Sequence, residues 1–331
     1  MSDKFNGIKN NTVKIGENME LVMAPLLAIT DNKFRNIYQK YFPYFDYAIA
    51  PFISLSDGNK ISSKSFTDLH PVDQRMRIIP QLLNHNQESF IGACEFLYYW
   101  GYTEINLNLA CPARIIMNKG RGAGLLQYPN QIDKILEMIF RKLENQDLTV
   151  KLRAGREDYS EFNHLIQVLN RYPIKKVIIH PRTASQMYTG EVNLNVVADA
   201  ITDLRIPITY SGDIFTIDDF KRLQCRFPTI DSWMIGRGIL MNPFLPWFIK
   251  GGKKDIICKT KLLNWYEDLF QAFEQYSVSN FYVLGRMKNI WKYLATSFEN
   301  EEEILSNLLP ILNKKKFYEM SFKYLQENDL K

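Results

Sequence analysis

The chain has 331 residues, 46% of them hydrophobic and 13% aromatic, and a formal net charge of +5. That is enough apolar material for one barrel-sized core with a smaller appendage, and it excludes global disorder. The mildly basic balance is compatible with a nucleic-acid partner without demanding one.

No run of about 18 apolar residues occurs, so no membrane-spanning helix is expected. Residues 1–18 are polar, rich in Lys and Asn, and lack the apolar stretch of a signal peptide. Cysteines 94, 111, 225 and 258 are scattered without metal-ligand spacing. Free thiols, a reducing cytoplasm, no metal and a monomeric chain are the expectations.

In chain order, Leu21–Pro25 predicts a first strand stopped by proline. Thr30 and Asp31 offer caps for a helix whose apolar positions are Phe34, Ile37, Tyr38 and Tyr41. Tyr47–Ala50 predicts a second strand and Arg77–Leu83 a third, with Gln81 near its end. A helix through Phe90, Ala93, Leu97 and Trp100 closes at Gly101. Ile105–Leu109 alternates apolar and amide side chains, the period of a strand, and must end before Pro112 with Cys111 at its tip. A glycine-rich loop from Ala113 to Leu126 follows, carrying Arg114, Lys119 and Arg121 and no acidic residue. Strands five to eight are expected at Leu148–Arg153, Val177–His180, Ile206–Tyr210 and Trp233–Ile235, with Thr216–Asp219 as a capping box. About eight strand–helix repeats in some 240 residues is the rhythm of a (β/α)8 TIM barrel, with a doubly wound open sheet as the rival. Expected units are a tail at 1–18, a barrel at 19–250 and a small all-helical domain at 251–331, with Arg286, Lys288 and Lys292 on one of its helices.

In such a barrel the active site lies at the C-terminal ends of the strands. Gln81, Asn106, Asn108, Cys111, Lys151, Arg153, His180, Arg182, Asp213 and Arg237 all fall there. Lys151 interrupts the apolar run Val150–Leu152, and a lysine is almost never buried without a partner, so an anionic or electron-rich ligand is implied. Ser211–Asp213 and Gly236–Gly238 follow strands seven and eight, where barrels often hold a phosphate. With no dinucleotide fingerprint in the chain, a mononucleotide such as FMN fits best. A thiol of ordinary pKa, about 8.5, is protonated at neutral pH and can serve as an acid.

Taken together, Met23–Pro25 with Thr30–Asp31 and Phe34–Arg35, Asn108–Pro112 with Gly122–Leu126, Val150–Arg153, His180–Thr183 with Gln186, Tyr188 and Gly190, Ser211–Ile214, and Gly236–Gly238 with Asn242–Pro243 resemble the tRNA-dihydrouridine synthase family, as a divergent bacterial-type member. The resemblance covers about residues 21–245 and the helical tail. It implies FMN-dependent reduction of the C5–C6 bond of uridine in RNA, most readily tRNA, with NADPH or NADH as electron donor. Hydride would pass from flavin N5 to C6, and Cys111, at the position of the family's catalytic cysteine, would protonate C5. Ala24, Pro25, Gln81, Asn108, Lys151, His180, Ser211, Gly212, Asp213, Gly236 and Arg237 would hold the cofactor, with Lys151 near N1 and O2. Arg114, Lys119, Arg121, Arg182, Arg286, Lys288 and Lys292 would meet RNA. Three departures stand out: Ala110 and Pro181 where glycine is usual, and Ser211 in place of asparagine. Ala110 would be strained if its φ had to be positive. The alternatives are a small-molecule FMN reductase resembling dihydroorotate dehydrogenases, a ribosomal-RNA uridine reductase, and a barrel that binds RNA without catalysis.

Overall fold

The computed structural model describes residues 19–54, 63–83, 86–253, 258–276 and 279–331; the polar tail lies outside them. Among the described residues ten strands follow one another as β1 (Glu20–Met23), β2 (Tyr47–Ile49), β3 (Ile53–Ser54), β4 (Ile78–Ile79), β5 (Gln81–Leu83), β6 (Glu104–Leu109), β7 (Asp147–Arg153), β8 (Lys176–His180), β9 (Ile208–Ser211) and β10 (Ser232–Ile235). Every pairing between them is parallel.

The stretch expected as one third strand is two. Pro80 has no N–H to give a ladder, and it parts β4 from β5. That break lets β4 pair with β2 while β5 pairs with β6, so one piece of chain bridges both neighbours and closes the barrel. An open doubly wound sheet is thereby excluded. The seventh strand begins at Ile208 rather than Ile206, past Pro207, whose carbonyl still accepts from Val177 N. The expected loop after Cys111 contains a short helix, Arg114–Met117, and a 3-10 turn, Gly122–Leu125.

Alternation along the strands sorts side chains into two layers. Ile105, Leu107 and Leu109 of β6 join the large core between barrel and helices. Val22, Ile49, Ile79, Ile178 and Met234 form a separate apolar cluster inside the barrel. The N-terminal end is sealed by Glu20, which pairs with Lys176 and accepts from Ser232 Oγ at 2.7 Å. The opposite end is polar, and the site lies there.

After β10 the chain is helical, through Lys259–Tyr276, Asn280–Leu294, Glu301–Leu308 and Lys314–Glu327. Trp265 packs edge-on against Phe34 and Phe42, at 6.4 and 5.9 Å between ring centroids, fastening these helices to the barrel. Among the described residues no helix is long and apolar enough to cross a membrane.

Candidate active site

A cavity of about 330 Å³ opens at the C-terminal ends of the strands. It brings together Ala24, Pro25, Gln81, Asn108, Cys111, Lys151, His180, Ser211, Gly212, Asp213, Gly236 and Arg237, which the sequence places up to 213 positions apart.

Its floor is a buried chain of amides. Thr149 Oγ1 accepts from Asn106 Nδ2 at 2.9 Å, Asn106 Oδ1 from Gln81 Nε2 at 2.7 Å, and Gln81 Oε1 from Asn108 Nδ2 at 2.7 Å. Asn108 Oδ1 then accepts the backbone N–H groups of both Ala110 and Cys111, each at 2.9 Å. The alternation in β6 points both asparagines inward, and the relay fixes the turn that carries the thiol. Replacing Gln81 with Leu strands Asn106 Oδ1 and Asn108 Nδ2 inside the barrel. Two buried unpaired groups cost on the order of 2–4 kcal/mol, so Gln81→Leu is expected to lower the urea midpoint markedly even in cofactor-free protein.

Gly122 and Gly124 are required by close packing, a side chain at Gly124 falling 2.6 Å from Met117 O. At Gly122, φ is +55° and a side chain would meet Cys111 Cβ and O at 3.0 Å. Ala123 N donates to Cys111 O at 3.1 Å, so the loop folds back beneath the thiol. Arg114 and Lys119 are exposed beside it, and Arg121 is half-buried. Ala110 is not among the positive-φ residues; its φ needs no glycine, and its side chain is buried without strain.

Arg153 faces the same interior as Lys151, two positions along β7. Its Nε donates to Ala110 O at 2.9 Å and its Nη1 to Thr183 O and Met187 O at 2.8 and 2.6 Å. This guanidinium ties the cysteine turn to the loop after β8. It belongs to the site, and its signal in the sequence is the alternation Lys151–Leu152–Arg153.

Burial pushes the Cys111 thiol up, with smaller opposing effects from the backbone at Ala113 and from Arg153 and Lys151. The thiol is protonated at neutral pH. Lys151 is pushed down to about 7, first by burial and then by Arg153, against a small opposing effect of Cys111. Among the described residues its amine forms no salt bridge. Burial, then Arg153, Lys151, Arg182 and Arg237, hold His180 well below the usual imidazole range, so it is neutral.

Among the described residues lining the cavity, Asp213 is the one carboxylate. Its carboxylate is engaged by Arg182 Nη1 and Nη2 at 2.9 and 2.5 Å and by Arg237 Nη2 at 2.7 Å. Asp213 therefore orients two arginines and is not a free ligand. Arg182, expected to meet RNA, is 2% exposed and also donates to Gly190 O, which ties it to Asp213 and to the loop after β8. The loops after β9 and β10 lie against each other: a side chain at Gly238 would fall 2.2 Å from Ile214 O.

Of the cations on the helical tail, Lys292 is exposed and Lys288 half-buried. Arg286 is 5% exposed, pairs with Asp31 and donates to Ile29 O at 2.9 Å, so it fastens helix to barrel rather than facing solvent phosphate. Breaking a buried pair from one side costs about 3–5 kcal/mol. Arg286→Met is accordingly expected to lose most of that in chemical denaturation.

Among the described residues no group of three or more His, Cys, Asp or Glu is arranged to hold a metal.

The sequence profile of a family described as dihydrouridine synthase (Dus) matches residues 22–315. Similar proteins include the tRNA-dihydrouridine(16) synthase of Shewanella oneidensis, 28% identical over 246 residues, covering 71% of this chain and 76% of that one. The tRNA-dihydrouridine synthase B of Pasteurella multocida is 28% identical over 227 residues, covering 68% of this chain and 67% of that one. A probable tRNA-dihydrouridine synthase of Helicobacter pylori is 26% identical over 270 residues, covering 75% and 78%. Among solved structures, a 2-naphthoyl-CoA reductase superposes with a TM-score of 0.53 at 10% identity, covering 72% of this chain and 51% of that one. Morphinone reductase superposes with a TM-score of 0.51 at 11% identity, covering 70% and 85%. At such identities these structures speak for the fold alone.

Proposed function

The chain belongs to the dihydrouridine synthase family, and from that premise we propose that it reduces the C5–C6 bond of uridines in tRNA to dihydrouridine, with FMN as cofactor and NADPH as electron donor. The observation that carries this reading is a protonated cysteine on a rigid turn, lining the same cavity as a buried lysine that has no salt-bridge partner among the described residues.

The residues present fit a flavin. Among the described residues lining the cavity, Lys151, Arg153 and Arg237 outnumber the single carboxylate Asp213, which two arginines already engage, so an anionic ligand restores the balance. The helix Arg237–Met241 opens at Gly236, and its first N–H groups have no partner within the helix, which suits a phosphate. Lys151 would sit with the electron-rich edge of the ring system, and neutral His180 would serve as a hydrogen-bond partner. When bound, the flavin supplies the two electrons that saturate the uracil bond.

The chain's own residues do the rest. Cys111 Sγ gives its proton to uracil C5, and Arg153 and Lys151, which both favour its ionised form, stabilise the thiolate left behind. Asn108 and Arg153 hold the turn so that the S–H stays aimed. Arg182 and Arg237, locked on Asp213, keep the far wall in place.

Purified protein incubated with NADPH and an unmodified tRNA transcript is expected to yield dihydrouridine in nucleoside mass spectrometry. Flavin oxidation by a small unsaturated substrate but not by any tRNA would instead favour the small-molecule reductase.

A further inference from the structure

Beside the active-site cavity lies a second, smaller one of about 130 Å³, at the seam between the barrel and the helical tail. The two share Leu27 and Phe52 in their walls, so they stand one side chain apart. The second is lined by Lys33 and Asp31 from the barrel and by Tyr276, Tyr282 and Arg286 from the tail.

Its chemistry is that of a nucleotide contact. Lys33 Nζ sits over the Tyr276 ring, 3.5 Å from its centroid, so a cation caps one face of the aromatic ring. Tyr276 is 44% exposed, and its ring centroid is 5.5 Å from that of Tyr282. Tyr282 Oη and Arg286 Nε have no hydrogen-bond partner among the described residues. Asp31 and Asp68 are already engaged by Arg286 and Arg35, whereas Lys33 forms no salt bridge among the described residues. The partition is held under strain: Ala28 adopts φ +61°, a left-handed backbone that L side chains rarely take, and the neighbouring Leu27 is left 63% exposed.

Pockets for drug-sized ligands begin at roughly 300 Å³, so this one, at about 130 Å³, suits a single base whose sugar and phosphate stay at its rim. On the reading above, a uridine in the main cavity must be everted from its strand, and the shared walls Leu27 and Phe52 put the second cavity within reach of its neighbour. We propose that the second cavity binds one nucleotide of the same RNA, adjacent to the reduced uridine, with its base against Tyr276 and its phosphate near Lys33. It thereby helps to select which uridine enters the active site. This inference rests on the proposed reaction.

Base–aromatic contacts of this kind are worth enough for about a tenfold change in affinity on truncation. Tyr276→Ala and Lys33→Gln are each expected to raise KM for a tRNA transcript about tenfold. The kcat should stay within about twofold, and flavin content and the rate of flavin reduction by NADPH should be unchanged. Tyr282→Phe, which removes only the unpaired hydroxyl, is expected to raise the RNA KM about threefold. An RNA KM unchanged in all three variants overturns the inference while leaving the reaction standing. A raised KM for NADPH with an unaltered RNA KM assigns the cavity to the electron donor and overturns it as well. If the parent enzyme forms no dihydrouridine, the underlying reading fails instead.

Discussion

Cys111→Ala is expected to bind FMN as the parent does and to accept electrons from NADPH at the parent rate, yet to reduce uridine about 10²–10⁴-fold more slowly, the usual contribution of a positioned general acid. The reason is geometric. The thiol lines the cavity, and the turn that carries it is held chiefly by other groups. Ala110 and Cys111 are anchored through their backbone N–H groups on Asn108, and Ala110 also through its carbonyl on Arg153. A methyl group in place of the CH2–SH side chain leaves those bonds intact. Cys111→Ser tests the same point more finely, because a hydroxyl is a far weaker acid in the same place and should recover little. Stopped-flow measurement separates the two half-reactions. An Ala variant that loses flavin, or that turns over RNA at the parent rate, contradicts the assignment.

Lys151→Met is expected to produce a more stable cofactor-free protein and a nearly inactive enzyme. An unfolded lysine titrates near 10.4, whereas burial brings Lys151 down to about 7. Between those values the unfolded chain holds more protons than the folded one, so this residue makes stability rise with pH across the window, and its cost is greatest below about pH 7. Removing the amine removes that cost. The variant should melt higher than its parent at pH 6.5, with the gap closing towards pH 10. Function pays in the opposite direction, since an anionic ligand favours the charged amine. Flavin affinity in the parent should be highest below about pH 7 and fall as pH rises. The variant should bind flavin weakly, without that pH dependence, and lose on the order of 10²–10³ in turnover, as when a preorganised electrostatic donor is deleted. Equal flavin affinity and an equal pH profile in both proteins would sink the role given to Lys151.

The strands and the site they carry were largely legible, because alternation needs only local reading. The Asn106/Asn108 and Lys151/Arg153 pairs declare which residues face the barrel interior. What local reading missed depends on distant partners. Arg286 sits on a helix with Lys288 and Lys292 and looks like part of a cationic face, but its partner Asp31 lies 255 positions away. Arg182 and Asp213 resembled two free ligands because nothing local shows that they bind each other across 31 positions. Arg77–Leu83 read as one strand despite Pro80, because the consequence of that proline, one stretch of chain pairing with two neighbours, appears only once the barrel closes. The loop from Ala113 to Leu126 read only as glycine-rich, whereas Gly122 is required by its contact with Cys111. The second cavity was not legible at all, since its walls come from residues 27–68 and 276–286.

The central claim is tested most directly by nucleoside mass spectrometry of separated tRNA and ribosomal RNA from cells lacking this gene, complemented with the parent or with Cys111→Ala. The account predicts that dihydrouridine disappears from a defined tRNA position, returns with the parent gene and does not return with the variant. Dihydrouridine unchanged in both RNA pools, in cells with no redundant enzyme, would contradict it.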